Sequence, residues 1–363
     1  MSLLIQVLST PQLLADLNAN QWQLLISQSN ISQLTGRINY LAQQNKIAIP
    51  EYVVWHLNSV EKIASKQRQQ VIREFFEVSK SLNNIETKLI FLKGAAYIAK
   101  KLPCSYGRIF SDIDILVTRS ALPLIERILK FSNWLPSELD DYDEKYYRTW
   151  MHEIPPLYHT TRGTVLDVHH NILPITNKHT LDANSFLQEI VVVEGVGEIR
   201  TLTDLDLCIH MVVHLFTESE FHHGLRDLSD FDLLLAHFQK MDANFVDGFI
   251  ERAKMLGLYD YVRLALRYSL LVFERQQYKI KPDVLQCNSS LLGKFQDFCF
   301  LNIFKPNHSS CRDWKMTLAE FFLYWRGHLI RMPLRLLIPH LFKKLIMRFK
   351  DKFKKEELPD NFL

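Results

Sequence analysis

The stretch Arg108-Ile109-Phe110-Ser111-Asp112-Ile113-Asp114-Ile115-Leu116-Val117 carries two aspartates, two residues apart, into an apolar β-branched run. Read as a strand from Asp112 to Val117, its period of two puts both carboxylates on one face and Ile113, Ile115 and Val117 on the other. Residues two apart in a strand lie about 7 Å from each other, and like charges held there repel unless a cation sits between them. A divalent metal is the simplest such cation. Phosphoryl or nucleotidyl transfer is the chemistry that most often needs the pair.

A third acid is expected from a neighbouring strand. Thr164-Val165-Leu166-Asp167-Val168-His169-His170 supplies it: Val165, Asp167 and His169 share one face, Leu166 and Val168 the other. A carboxylate in such a run is costly to bury unless it is paired or ligates a metal. Asp112, Asp114 and Asp167 are therefore expected to meet around Mg²⁺, or Mn²⁺ in its place, as hard cations prefer oxygen ligands.

Upstream, Lys88-Leu89-Ile90-Phe91-Leu92 reads as a short buried strand that stops at Lys93-Gly94, ahead of the helix-like Ala95 to Lys100. Glycine is scarce, 11 in 363 residues, well under the usual ~7%, so its position at a strand-to-helix junction carries weight. There it lets backbone N–H groups approach a phosphate, with Lys93 adding a point charge. A P-loop is excluded, because the second glycine and the Gly-Lys-Ser/Thr order are missing. Arg108 and Ser111 complete the nucleotide-binding set. Arg108 either clamps phosphate oxygens or orients Asp112 or Asp114.

Leu-Lys-Gly, an arginine about fourteen residues on, Asp-Ile-Asp-Ile-Leu-Val and then a Leu-Asp-Val-His strand resemble the uncharacterised nucleotidyltransferase family of the DNA polymerase β-like superfamily. The motifs span roughly residues 85–175, and a weaker likeness continues into the helical remainder. The resemblance implies a small mixed sheet with helices on one side, metal binding by Asp112 and Asp114, and Asp167 as third carboxylate. It departs from the superfamily's usual Gly-Ser or Gly-Gly after the first strand, where this chain has Lys93-Gly94. A His…Arg-Asp-Leu-x-Asp pattern is also shared, which makes Arg226 and Asp230 candidates for substrate contact, beside His169 of the Leu-Asp-Val-His strand. On a helix Arg226 and Asp230 stand at i and i+4 and can instead form a surface ion pair.

Around this core the fold class expected is α+β. The divisions are N-terminal helices over 1–85, a catalytic core over 86–202, a helical domain over 203–332 and a basic amphipathic tail over 333–363. Gln21 to Gln44 and Tyr52 to Ser81 show helical periodicity, with Asn30 and Gly36 weakening the first and Asn83-Asn84 ending the second. Strands are expected near 89–92, 112–117, 156–160 and 164–170, with Leu122 to Phe131 as a connecting helix. An edge hairpin is expected around Gly195-Val196-Gly197. Helices follow over Thr203 to Thr217, Leu225 to Gln239, Asn244 to Met255 and Leu258 to Phe273, with Thr203 and Asn244 as N-caps. Loops fall at Pro282, at Asn288-Ser289-Ser290 and over Lys305 to Ser310, and final helices run from Trp314 to Arg331 and Leu334 to Phe353.

Five unpaired-looking cysteines with no Cys-x-x-Cys spacing fit a reducing cytoplasm and argue against a zinc knuckle. The N-terminus has no basic segment before its apolar residues, and Pro11 interrupts them, which argues against a signal peptide. His210 and His214 share a helix face, but Met211 stands where a zincin needs glutamate, so they read as core or cap histidines. Residues 326–355 hold ten basic residues against Asp351, giving +9 in a chain of net +3 and leaving a mildly acidic body. No run there reaches the ~20 apolar residues of a membrane span. The tail reads as a docked helix, a peripheral contact with anionic lipid, or an RNA contact.

The sequence thus points to a cytoplasmic Mg²⁺-dependent nucleotidyltransferase, moving an NMP from ATP or another NTP to a small molecule, a peptide or protein, or tRNA. The alternative is a catalytically inactive relative, a scaffold whose basic tail meets membrane or RNA.

Overall fold

In the computed structural model, β2 (Asp112–Leu116) pairs in parallel with β5 (Val165–His169), and Asp114 faces Asp167 across the ladder. The described residues are 2–83, 85, 87–177, 182–193, 199–274 and 290–356, without the side chains of 345 and 348–356. On its other edge β2 pairs antiparallel with β1 (Ile90–Phe91). Among the described residues the sheet has seven strands in the order β3-β4-β5-β2-β1-β7-β6. The remaining strands are β3 (Trp134–Pro136), β4 (Leu157–His159), β6 (Ile190–Val193) and β7 (Ile199–Leu202).

The helices before the sheet are α1 (Leu3–Ser9), α2 (Ala19–Ile31), α3 (Thr35–Gln44) and α4 (Glu51–Ser81). Within it come α5 (Lys93–Ala99), α6 (Leu122–Phe131), α7 (Asp141–Trp150) and α8 (Asn184–Leu187). After it come α9 (Asp204–Thr217), α10 (Gly224–Met241), α11 (Phe245–Met255), α12 (Tyr259–Phe273), α13 (Leu291–Ile303), α14 (Trp314–Arg331) and α15 (Leu334–Glu356).

Period-two alternation decides which face of the sheet is dry. Ile113, Ile115, Val117, Leu166 and Val168 pack against Phe75 and Val78 of α4 and Ile125 and Leu129 of α6. The opposite face carries the acids, and α9 and α10 stand across a cleft from it. Those two helices share one apolar core with α11, α12 and the N-terminal helices.

Several expectations change. The segment Gln21 to Gln44 is two helices, broken after Ile31, where Gln33 takes a left-handed backbone with φ of 55°. Gly36 does not merely weaken α3. A Cβ there would lie 2.0 Å from the carbonyl oxygen of Gly107, so glycine lets α3 touch the loop that leads into Arg108. Strand β3 and helix α7 went unforeseen, since Trp134-Leu135-Pro136 is short and α7 is polar, with no buried residue. The expected edge hairpin contributes only β6 to the edge, because β7 pairs in parallel with β1 inside the sheet. Thr203 caps α9 by accepting from the Asp206 N–H, whereas Asn244 makes no side-chain cap. The turn at 195–197, Asn84, Pro282 and Asn288-Ser289 lie outside the described residues.

The last helix docks by one face. Leu337 is buried, Lys344 pairs with Asp143 of α7, Lys343 sits 3.8 Å from the centre of the Tyr142 ring, and His340 stacks on Tyr146. Leu334, Ile338, Phe342 and Ile346 form an exposed stripe at four-residue spacing. No helix among the described residues is long and apolar enough to cross a membrane.

Candidate active site

Parallel register brings the acids together. With Asp112 opposite Val165 and Asp114 opposite Asp167, the carboxylates of Asp112, Asp114 and Asp167 all come within 4.8 Å of one another. Ser111 donates to Asp112 Oδ1 at 3.0 Å. Asp114 is buried between Lys93 Nζ, 2.7 Å from its Oδ1, and His169 Nε2, 2.9 Å from the same oxygen. Burial alone would raise the Asp114 pKa, but Lys93 and the His169 hydrogen bond hold it well below the usual carboxylate range.

Asp167 is treated differently. Its Oδ1 is buried with no hydrogen-bond partner. Burial and the charge of Asp114 push its pKa up to about 7. Three converging carboxylates, one oxygen without a donor, and one acid forced toward its neutral form make a donor set that suits a hard divalent cation. Lys93 and His169 both compensate the one charge of Asp114, whereas Asp112 has only the Ser111 hydroxyl and Asp167 Oδ1 has no donor.

Lys93 holds φ of 42°, a left-handed conformation costing on the order of 1–3 kcal/mol for a residue with a side chain. Burial would lower the Lys93 pKa, but the Asp114 charge and hydrogen bond raise it instead. Gly94 has a packing reason beside the expected one: a Cβ there would lie 2.2 Å from the Phe110 ring. That ring lies 5.3 Å from the Arg108 guanidinium, and the Phe110 N–H donates to Gln67 of α4.

Of the two roles weighed for Arg108, orientation of Asp112 or Asp114 is not what the structure shows. Arg108 reaches across the cleft to α10, pairing with Asp230 and, at 3.3 Å, with Asp227. The expected Arg226–Asp230 surface pair does not form. Asp230 is 1% exposed and accepts from Arg37 Nη2 at 2.7 Å, whereas Arg226 turns to Asp227 at 2.9 Å and to Gln33. The reason is that Asp230 faces the core side of α10, where two arginines from other elements compensate its charge.

Lys93, Gly94, Arg108, Ser111, Asp112 and Asp114 line one wall of a cavity of about 400 Å³, and His214, Arg226, Asp227 and Asp230 line the other. His214, part of that second wall, is partly exposed and holds its Nε2 3.4 Å from Glu218. His169 stands behind Asp114 and positions it. Sequence reasoning missed Arg37, Asp227, His152 and Glu153. Arg37 had no signal, being one arginine in a helix whose partner is 193 residues away. His152-Glu153 was a readable dipeptide, but only the bridge from Glu153 to His169 places it at the site.

The three aspartates are a group that could hold a metal ion, beside a cavity lined by Lys93, Gly94 and Arg108. The family described as uncharacterised nucleotidyltransferase matches residues 18–274, and the chain belongs to that family. A solved structure, an antigenic nucleotidyltransferase-like protein from Paracoccidioides brasiliensis, is 12% identical over 50% of this chain and 92% of that one, with a TM-score of 0.27. No curated protein matches the chain.

Proposed function

We propose that this protein transfers a nucleotidyl group from ATP or another NTP to an acceptor hydroxyl, phosphate or side chain. The acceptor oxygen bonds to the α-phosphorus as the bond to pyrophosphate breaks. The observation supporting this most directly is the convergence of Asp112, Asp114 and Asp167 with Asp167 Oδ1 left without a donor. These three residues would hold Mg²⁺ or Mn²⁺, which would neutralise triphosphate oxygens and acidify the acceptor. Asp167, beside the nucleophile, receives the acceptor's proton. Lys93 and Gly94 meet the phosphates, Ser111 holds Asp112, and Asp230 keeps Arg108 directed into the cleft. Arg226, on the facing wall, contacts nucleotide or acceptor, which is a small molecule, a peptide or protein, or tRNA.

Incubation with each of four labelled NTPs, Mg²⁺ and a cell extract tests this. Label should enter one fraction, depend on the divalent ion, and name the acceptor class. Lys93→Ala should raise the KM for NTP by ~10-fold or more, as expected for one lost charge-assisted contact. An unchanged KM returns Lys93 to a structural role beside Asp114. Bound nucleotide with no transfer to any fraction supports the scaffold reading instead.

The stripe Leu334, Ile338, Phe342 and Ile346 favours a second, accessory reading: peripheral contact of the basic tail with anionic lipid. Co-sedimentation with phosphatidylserine vesicles should weaken with salt and with Ile338→Glu/Phe342→Glu. Equal binding by that variant, or none by the native chain, removes it.

A further inference from the structure

Beside the three aspartates lies a second cluster of different chemistry. His152, Glu153 and His169 each offer a ligand atom, all within 4.8 Å of one another. The backbone holds them there: Glu153 forms an antiparallel bridge with His169, and the His170 N–H donates to the His152 carbonyl at 2.8 Å. His169 is 1% exposed. Its Nε2 is engaged by Asp114, while its Nδ1 lies 3.3 Å from Glu153 Oε2 without hydrogen-bond geometry. His152 Nδ1 is likewise buried and has no partner. Buried polar atoms in native proteins are nearly always satisfied, so two such nitrogens beside a carboxylate need an explanation.

A protonated His169 bridging Asp114 and Glu153 would account for one nitrogen. It leaves His152 unexplained, and it sets a second imidazole, 5.4 Å away between ring centres, beside a positive charge. A cation bound by all three residues accounts for both. We propose that His152, Glu153 and His169 form a second divalent-metal site, selective for a zinc-like transition metal and joined to the aspartates through His169. Two imidazoles and a carboxylate suit Zn²⁺, with bonds of ~2.0–2.1 Å, so the three ligand atoms draw together on binding. Glu153, whose side chain is 19% exposed, provides the way in.

The consequence is positional. A ligating histidine usually gives its other ring N–H to a carboxylate, which fixes its tautomer. Here that carboxylate is Asp114. Occupancy of the His152 site therefore locks the proton on His169 Nε2 and holds Asp114 in place. The site stands whether or not the transfer reading is right.

The test uses the full chain, stripped with chelator and titrated with Co²⁺ in excess Mg²⁺. One equivalent should bind with the visible absorption of nitrogen-ligated Co²⁺ and be displaced by Zn²⁺. Affinity should fall by at least ~100-fold in His152→Ala and in the near-isosteric Glu153→Gln, which guards against a folding defect. Asp112→Asn should keep the signal. Absence of saturable binding in the native chain overturns the proposal, as does a signal that survives both His152→Ala and Glu153→Gln. A signal lost in Asp112→Asn but kept in His152→Ala would assign the ion to the aspartates and overturn it equally.

Discussion

Asp112→Asn, Asp114→Asn and Asp167→Asn should each reduce nucleotidyl transfer by ~10³-fold or more, the several kcal/mol that a correctly held metal supplies. Their effects on stability should differ in sign, which separates chemistry from folding. Asp114 is paired with Lys93 and His169, so Asp114→Asn takes the carboxylate from a partly exposed ammonium and a buried imidazole and should destabilise by ~1–3 kcal/mol. Asp167 is the opposite case. Its folded pKa lies near 7, above the ordinary carboxylate value, so the folded metal-free protein binds more protons than the unfolded chain between about pH 4 and pH 7. Stability contributed by its neutral form is present at low pH and lost as pH rises through 7. Asp167→Asn should therefore stabilise the EDTA-treated protein at pH 8, on the order of 2 kcal/mol, with the gain vanishing below about pH 4. Thermal melts at both pH values measure this. Full activity in any of the three variants would sink the mechanism, and destabilisation of Asp167→Asn at pH 8 would remove the cation-shaped reading of that carboxylate.

Arg162→Ala should be the largest stability loss away from the cleft. Glu74 of α4 is fully buried and accepts from Arg162 at 2.5 and 2.8 Å and from Thr164 Oγ1 at 2.9 Å. Arg162 sits in the turn between β4 and β5, and β5 carries Asp167. Truncating it strands a carboxylate in a dry environment, a change costing ~3–5 kcal/mol. Because the pair ties α4 to the strand that positions Asp167, transfer should fall too. The double variant Glu74→Met/Arg162→Met should regain much of the stability, since apolar replacements remove both charges together. A melt of Arg162→Ala within ~0.5 kcal/mol of the native chain would overturn this reading of the Glu74 pair.

What the sequence by itself determined is local and periodic. The alternation through Asp112 to Val117 and Val165 to His169 set which residues face the acids and which face α4 and α6, because side chains in a strand alternate whatever the strand pairs with. The helices from α9 to α12 were legible because each buries an apolar face at 3.6-residue spacing. Strand β3 and helix α7 were not, since one is three residues long and the other buries no face of its own.

The tertiary structure decided everything that depends on distance between distant residues. The parallel register sets Asp167 opposite Asp114, and a slip of one residue would have turned it into the apolar layer. Asp230 looked like the partner of Arg226 one helical turn away, yet burial demanded charges from α3 and the β2 loop. Arg37 and Arg108 supply them because an unpaired carboxylate in that core is costlier than the chain's long detour to bring an arginine there.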